Sequence, residues 1–537
     1  YENISLTDTL ITENSASNEG AAIYSGQGSV TMSGSRLSAN IADRGAGIFA
    51  INSILTLDTS TFSGNTVTRD GAAIYNIFYI PYPELNPSTI TECTFVENTA
   101  AGNGGGVYNS GGIINVSDST FSEHQAVLGG GIYSKSNGHS GNISIINSMF
   151  SDNTEVESGG GIYADGIGLS VEGSHFTGNA AIGESTTGRG GGIYSINGPL
   201  TITASEFTSN TALIGGGVYS GTDSNLSVSD STFNQNQART GGGIYNNRSA
   251  MTIHGSSFTG NQALIDPENP SVSSEGGALF HSSQLATPQG ENDAFISNSV
   301  FTDNYSGTRA AGIKLSYSFM TVTQSVFTGN SVQQSGGGIH NTLGYLTVQQ
   351  STFSGNTSDT NGAAINSTGT LIISESTIAD NSAEYFGAGV YVSTAGTTTI
   401  SNSTLSGNQS QSGGGAIYSN SSQPLTLINS TVTGNSSYNG GGVRTTNSIS
   451  YFVNTIIAGN TATFDAQVSG SFTGSHNIIQ DSIAGLLDPV LRDNGGPTKT
   501  HALLPGSVAI DAGDNAAATA ADLITDQRGE GSSRIIG

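Results

Sequence analysis

One motif recurs along almost the whole chain and leaves it few folds. It has the form Ser-x-Phe-x-x-Asn, as in Ser60-Thr61-Phe62-Ser63-Gly64-Asn65, Ser174-His175-Phe176-Thr177-Gly178-Asn179 and Ser351-Thr352-Phe353-Ser354-Gly355-Asn356. Aligned on its last residue, it runs through Asn14, Asn40, Asn65, Asn98, Gln125, Asn153, Asn179, Asn210, Asn236, Asn261, Asn304, Asn330, Asn356, Asn381, Asn408, Asn435 and Asn460. Twelve of the sixteen successive spacings are 25–27 residues. A second motif follows, Gly-Gly-Gly-Ile-Tyr or a variant, as at Gly159 to Tyr163, Gly190 to Tyr194 and Gly241 to Tyr245. An alternating apolar stretch precedes the Phe, such as Leu200-Thr201-Ile202-Thr203 or Leu425-Thr426-Leu427-Ile428. Each repeat therefore reads as two short strands with period-two alternation, separated by turns rich in Gly, Asn and Ser. No segment sustains a 3.6-residue apolar period, which excludes helical repeats. The fixed residues are Phe, Asn and Gly rather than Leu, which argues against a leucine-rich repeat.

A unit of this length cannot bury its own apolar face, so units must stack. The expected fold is all-β, a parallel β-helix solenoid of about 17–18 coils, one ~26-residue repeat per coil. At an inter-strand spacing of ~4.8 Å, seventeen coils make a rod of roughly 80 Å. The repeat domain is expected over residues 1–485, with insertions near 76–90 and 264–294, and a non-repetitive region over 486–537. Ile, Val, Leu and Phe point inward and stack like on like. The asparagines tolerate the left-handed conformation at a sharp turn and hydrogen-bond in a ladder from coil to coil. The glycine triplet supplies positive φ and room for a tight bend. Ser and Thr are expected on outward faces. Composition agrees. Charged residues are only 10 %, too few for a charge-laced coiled coil. The 76 glycines have no three-residue period and Pro is only 11, so the chain is not collagen-like.

The chain has 14 Lys plus Arg against 40 Asp plus Glu, a net charge of −26. Such a surface repels nucleic acid phosphates and anionic membranes, so no nucleic-acid partner is expected. The single cysteine, Cys93, permits no intrachain disulfide. No apolar run reaches the length of a transmembrane helix, and no transmembrane segment is expected. The chain opens at Tyr1 in mid-pattern without an initiator Met or signal peptide, as a mature or truncated piece would.

The paired Phe-x-x-Asn and Gly-Gly-Gly-Ile motifs resemble the repeats of bacterial polymorphic outer-membrane-protein-like β-helices. Those belong to the pectin-lyase-like, right-handed parallel β-helix class, and the resemblance covers about residues 1–485. A second resemblance lies in Asp493-Asn494-Gly495-Gly496-Pro497-Thr498-Lys499-Thr500-His501-Ala502-Leu503-Leu504-Pro505-Gly506-Ser507, then Ala509-Ile510-Asp511-Ala512-Gly513-Asp514 and Thr525-Asp526-Gln527-Arg528-Gly529. These are similar to the choice-of-anchor Q region near the C-terminus of large secreted bacterial repeat proteins. Together they imply a right-handed coil, export and surface attachment, but no chemistry.

The same class contains polysaccharide lyases and glycosidases, which need Asp-held Ca²⁺ with a basic residue or clustered carboxylates. Their paired Asp-Asp, Gly-His-Gly and Arg-Ile-Lys signatures are absent here; Gly138-His139-Ser140 comes nearest, and the only lysines are Lys135, Lys314 and Lys499. No catalytic residue, cofactor or metal site is assigned, Ca²⁺ being the metal this class would use. Arg44, Arg69, Arg189, Arg239 and Arg309 precede the Gly motif, with Glu19, Asp43, Asp70, Glu157, Glu184 and Glu275 in the same turn. They read either as a carboxylate-recognising strip or as surface pairs between coils worth ~0–1 kcal/mol each, and the gaps between arginines favour the pairs. The eight histidines, His124, His139, His175, His254, His281, His340, His476 and His501, form no metal-type spacing and read as exposed polar residues.

Long loops on a repetitive scaffold are the usual places for function. The first insertion carries Phe78, Tyr79 and Tyr82 among Pro81, Pro83 and Pro87, a candidate binding loop for a sugar or partner; the alternative is aromatics packed on the loop's own coils. The second carries Pro267, Pro270 and Pro288. Asn-x-Ser/Thr sequons such as Asn115, Asn247, Asn402 and Asn435 permit covalent glycans. The first strand-like stretch, Ile4-Ser5-Leu6, has no capping helix, so the end of the solenoid is a template for another chain, and head-to-tail contacts would build a homopolymer. The expected function is an extracellular, structural or adhesive bacterial surface protein. The alternatives are a polysaccharide lyase or glycoside hydrolase, and a carbohydrate-binding adhesin.

Overall fold

The structure is a computed structural model of the chain. It describes residues 2–79, 87–138, 141–154, 157–183, 188–267, 269–283, 294–394, 396–529 and 531–533. The fold is essentially all-β, a right-handed parallel β-solenoid of about 17 turns with ~26 residues per turn. The chain divides into two compact units, residues 1–252 with 256–262 and residues 253–255 with 263–537.

A turn of the first unit holds four strands rather than the two expected. One example is Leu200–Thr203, Glu206–Thr208, Thr211–Ala212 and Val218–Ser220. The middle two are three and two residues long, too short for period-two alternation to register in a sequence. We name the four positions the long, Phe, short and Tyr faces.

Pairing is parallel and in register, so equivalents meet: Leu200 with Leu169 and Leu226, Phe207 with Phe176 and Phe233, Val218 with Ile193 and Ile244. A one-residue slip would turn the outward Ser and Thr into the core, so the apolar alternation pins the register. On the Phe face, Phe62, Phe95, Phe121, Phe150, Phe176, Phe207, Phe233 and Phe258 stack with ring centroids 4.5–4.9 Å apart, the strand spacing itself. On the Tyr face a second column runs from Tyr24 through Phe49 and Tyr75 to Tyr245 at 4.6–5.4 Å.

The glycine triplet does two jobs. Its first member turns the chain with a left-handed backbone, as at Gly190 with φ 64°. Its third admits the next coil. A Cβ on Gly192 would lie 2.7 Å from Gly217 O and 3.0 Å from Phe207 Cδ1.

In the second unit the inward column of the Phe face starts with Phe301, Phe327 and Phe353, then continues as Ile378, Leu405, Val432 and Ile457. After the strand Ile478–Gln480 the coil pattern stops. The remaining segment holds isolated antiparallel bridges, such as Leu487 with Leu503, and one six-residue helix, Asn515–Ala520, whose first turn is capped by the Asp514 side chain. It lies along the outside of the Phe face. Thr377 Oγ1 donates to Lys499 O at 2.6 Å, and Thr404 Oγ1 donates to Gln527 Oε1 at 2.7 Å. Leu486 and Leu487 are buried against Ala458, Ile456 and Ile478.

Two alanine substitutions separate the glycine roles. Gly64 has φ 61° with nothing near its missing Cβ, so Gly64→Ala should cost only the left-handed penalty of ~1–2 kcal/mol. Gly192→Ala must push backbone apart and should cost at least the ~3 kcal/mol upper end of overpacking. Urea unfolding midpoints check the order.

Candidate functional site

The asparagine column is a buried hydrogen-bond ladder. The backbone N–H and Nδ2 of Asn210 both donate to Asn236 Oδ1, at 3.0 and 2.9 Å, and Nδ2 also donates to Phe176 O at 2.8 Å. Asn210 Oδ1 accepts the same pair from Asn179, at 3.1 and 3.0 Å. The carboxamide is thus fully satisfied at 0 % exposure. Rungs of 2.7–3.0 Å join Asn14, Asn40, Asn65 and Asn98, then Asn153, Asn179, Asn210, Asn236 and Asn261, in the first unit. In the second unit they join Asn304, Asn330, Asn356, Asn381, Asn408, Asn435 and Asn460. Gln467 closes that ladder, accepting from Asn460 Nδ2 at 2.9 Å and donating back to Asn460 O at 3.1 Å.

Three expectations need correction. The left-handed backbone belongs not to these asparagines but to the residue before each, such as Ala39, Gly64, Ser209 and Gln235. The rung between Asn98 and Asn153 is His124, three residues after Phe121, not Gln125, which sits on the short face bridging Thr99 and Thr154. His124 Nδ1 accepts from Asn98 N at 3.1 Å, while its Nε2 is buried without a hydrogen-bond partner. Asn98 Nδ2 keeps the usual bond to the Phe carbonyl of the preceding coil, Phe62 O at 3.0 Å, and in place of the missing rung donates to Val96 O at 3.1 Å. Burial pushes the His124 imidazole down to about 3. Nor are the histidines uniformly exposed: His124 and His281 are at 0 % and His340 at 6 %.

A second polar column was assigned to the wrong side. Ser174, Ser205, Ser231 and Ser256 are buried, the backbone N–H of each of the first three donating to the next Oγ at 3.1–3.2 Å. Ser205 Oγ in turn donates to Thr203 O at 2.8 Å. The recurrence of Ser four residues before the left-handed position, where any outward polar residue would serve, was the available signal.

Arg44, Arg189 and Arg309 stand directly before the left-handed residue, whereas Arg69 and Arg239 lie one residue earlier. Three of them pair with neighbouring coils: Arg44 with Glu19 at 3.6 Å and Asp70 at 3.9 Å, Arg69 with Asp43 at 3.9 Å, Arg309 with Glu275 at 3.1 Å. The Arg189 guanidinium lies 5.4 Å from the Tyr219 ring centre.

The candidate binding loop divides. Phe78 is buried at 3 %, its backbone N–H bonded to Ser110 O at 2.9 Å, so its ring is wall rather than platform. Tyr79 is 59 % exposed, its N–H donating to Asn52 Oδ1 at 2.8 Å. Tyr82 lies outside the described residues, as do His139, Glu184 and Pro288. Among the described residues, no group of three or more His, Cys, Asp or Glu could hold a metal ion.

The C-terminal segment makes a set of polar contacts with the coils of the second unit. Gln527, 8 % exposed, donates through Nε2 to Thr377 Oγ1 at 3.1 Å and Thr498 Oγ1 at 3.0 Å. His501 Nδ1–H donates to Asp488 O at 2.7 Å, and its Nε2 accepts from Ser406 Oγ at 2.9 Å. The outward hydroxyls of the Phe face thereby serve as a docking surface for polypeptide.

Comparison with known proteins agrees with this architecture. Residues 8–26, 59–77, 92–110 and 230–247 match the Chlamydia polymorphic membrane protein repeat, and residues 289–431 match the right handed beta helix region. The coils are thus similar to those of polymorphic membrane proteins, a repeat family associated with the bacterial outer surface. The Azotobacter vinelandii Mannuronan C-5 epimerase AlgE6 A-module is similar at 10 % identity over 84 % of this chain and 90 % of that one, with a TM-score of 0.25. No curated protein matches. Among the described residues no helix is long and apolar enough to cross a membrane.

The ladder makes two predictions. Asn210→Asp places an acceptor against Asn236 Oδ1 and Phe176 O, so the buried carboxyl is held protonated and its folded pKa rises. Stability then falls as pH climbs above the unfolded value of ~3.9, and the variant should lose more, ~3 kcal/mol or beyond, at pH 7 than at pH 4. His124 has a folded pKa below its unfolded value of ~6.5, so its neutral form contributes stability that is whole above that pH and is lost as pH falls toward 3. His124→Asn should restore the rung, add ~1 kcal/mol at neutral pH and remove that part of the acid slope. Thermal melts across pH 3–8 measure both.

Proposed function

We propose that this polymorphic-membrane-protein-like β-helix is an exported bacterial surface protein with a structural or adhesive role, as a stalk, fibre or extracellular matrix component. The observation that carries the reading is the use of the recurring residues. Phe, Asn and Ser columns all face inward and bind coil to coil, so the motif is spent on cohesion. The repeat type and the C-terminal resemblance to an anchoring region support export and surface attachment. Head-to-tail assembly through coil ends belongs to the same reading. Since Gln467 already satisfies the last amide rung, such a joint would use the strand edges of the other faces. The chain is read as non-enzymatic. A second reading, a carbohydrate-binding adhesin, draws on the exposed Tyr79 ring of the first insertion.

Negative-stain electron microscopy of the native protein, paired with a reducing-end assay on plant and bacterial polysaccharides, tests the proposal. Filaments with an axial repeat of one molecule and no sugar release are expected. Isolated particles that liberate reducing or unsaturated ends would overturn it in favour of a polysaccharide-degrading enzyme.

A further inference from the structure

The chain holds thirteen Asn-x-Ser/Thr sequons, and the fold sorts them. Asn304, Asn356, Asn408 and Asn435 are ladder rungs, and Asn366 and Asn402 are buried at 4 % and 2 %. Asn3, Asn115, Asn142, Asn247 and Asn420 lie inside strands, where pairing fixes the backbone. Asn429 is half-buried. Of the thirteen, Asn225 alone is both exposed and outside a strand.

The corner that carries Asn225 protrudes. Ser195 pairs with Ser220 and Leu200 with Leu226, yet five residues part Ser220 from Leu226 where four part Ser195 from Leu200. The extra residue is taken up in a turn closed by Ser224 N, which donates to Gly221 O at 3.2 Å. Ser224 is buried, and its Oγ donates to Ser195 O at 3.0 Å, pinning the turn to the coil before. Asp223 and Asn225 flank it, left-handed at φ 57° and 38°, and both are exposed. Asn225 N donates to Ser249 Oγ at 2.6 Å, but its carboxamide has no hydrogen-bond partner among the described residues. The Ser227 hydroxyl, on the outward side of the strand Leu226–Ser229, is likewise unengaged. Asp223 makes no ion pair among the described residues, and no other sequon has an acidic residue two positions before its Asn. An exposed turn of this kind enters an enzyme's cleft without any coil unfolding.

We propose that Asn225 is an acceptor for N-linked glycosylation, with Ser227 as the sequon hydroxyl and Asp223 as the anchor for a cationic side chain of the transferase. The donor is a polyprenyl diphosphate-linked oligosaccharide. The Asn225 amide nitrogen attacks the anomeric carbon of the first sugar: the C–N bond forms, the anomeric C–O bond breaks, the amide proton passes to a base, and polyprenyl diphosphate leaves. The inference goes beyond the surface role and is tested apart from it, because transfer is read on the folded chain in solution.

The purified full chain would be incubated with a bacterial single-subunit oligosaccharyltransferase and a polyprenyl diphosphate-linked oligosaccharide that begins with an N-acetylated hexosamine. Intact mass and peptide mapping read the product, and a synthetic peptide of residues 221–229 serves as the unfolded comparison. Asn225→Asp removes the amide and suits the left-handed corner; Ser227→Ala removes only an outward hydroxyl; Asp223→Asn removes only the charge. Asn115→Asp makes the first change at an exposed sequon inside a strand. The expected result is one oligosaccharide per folded chain, on Asn225. Transfer is abolished by Asn225→Asp and by Ser227→Ala, slowed tenfold or more by Asp223→Asn, and unchanged by Asn115→Asp. No transfer to the folded chain, whether or not the peptide accepts, would overturn the proposal. So would transfer to another asparagine in place of Asn225, or undiminished transfer to Ser227→Ala or Asp223→Asn.

Discussion

A side chain inside a parallel solenoid meets its own equivalent one strand spacing above and below. Every inward position must therefore be complementary to itself. Phe satisfies this by stacking, Asn by donating upward and accepting from below, Ser by lending its Oγ to the neighbouring N–H. Asp, Glu, Lys and Arg cannot, because a column of one charge repels itself. The low charged fraction of 10 % follows from this constraint as much as from any surface requirement.

The exceptions show the rule's strength. His124 stands in the asparagine column but has one acceptor where a carboxamide oxygen takes two bonds, so the Asn98 amide donates to Val96 O instead and the His124 Nε2 is left buried without a hydrogen-bond partner. On the Tyr face of the second unit the aromatic column gives way at Lys314, 2 % exposed, whose ammonium donates to Thr342 Oγ1 and is brought down to about 8 by burial. Its neighbour on the next coil is His340, which burial and the Lys314 charge keep neutral. Nothing in the structure explains why these two replace aromatic rings.

Outward positions are free of self-complementarity and carry what variety the chain has. The ion pairs of Arg44, Arg69 and Arg309 join neighbouring coils and are half-exposed, so each contributes little. The hydroxyls of the Phe face do more, since they hold the C-terminal segment through Thr377, Thr404 and Ser406. That docking shields the side of the last coils and creates a crevice beside Asn429.

The fold was legible because the spacing of a repeat in sequence is also its partner in space: Phe207 names its own neighbours as Phe176 and Phe233. The asparagine ladder was legible for the same reason. What a residue meets in the next coil is the same residue one repeat on, so the coil stack, its register and its inward Phe and Asn columns follow from the sequence by itself. Periodicity does not record which way a two- or three-residue segment faces. Only the tertiary structure decided that a turn has four strands, that Ser points inward, that the left-handed residue precedes the Asn, and that His124 rather than Gln125 fills the rung. Nor does periodicity record contacts without a repeated partner. Ser406 meets His501 and Glu375 meets Thr525 across 95 and 150 residues, and such one-off pairings depend on where a non-repeating segment folds back.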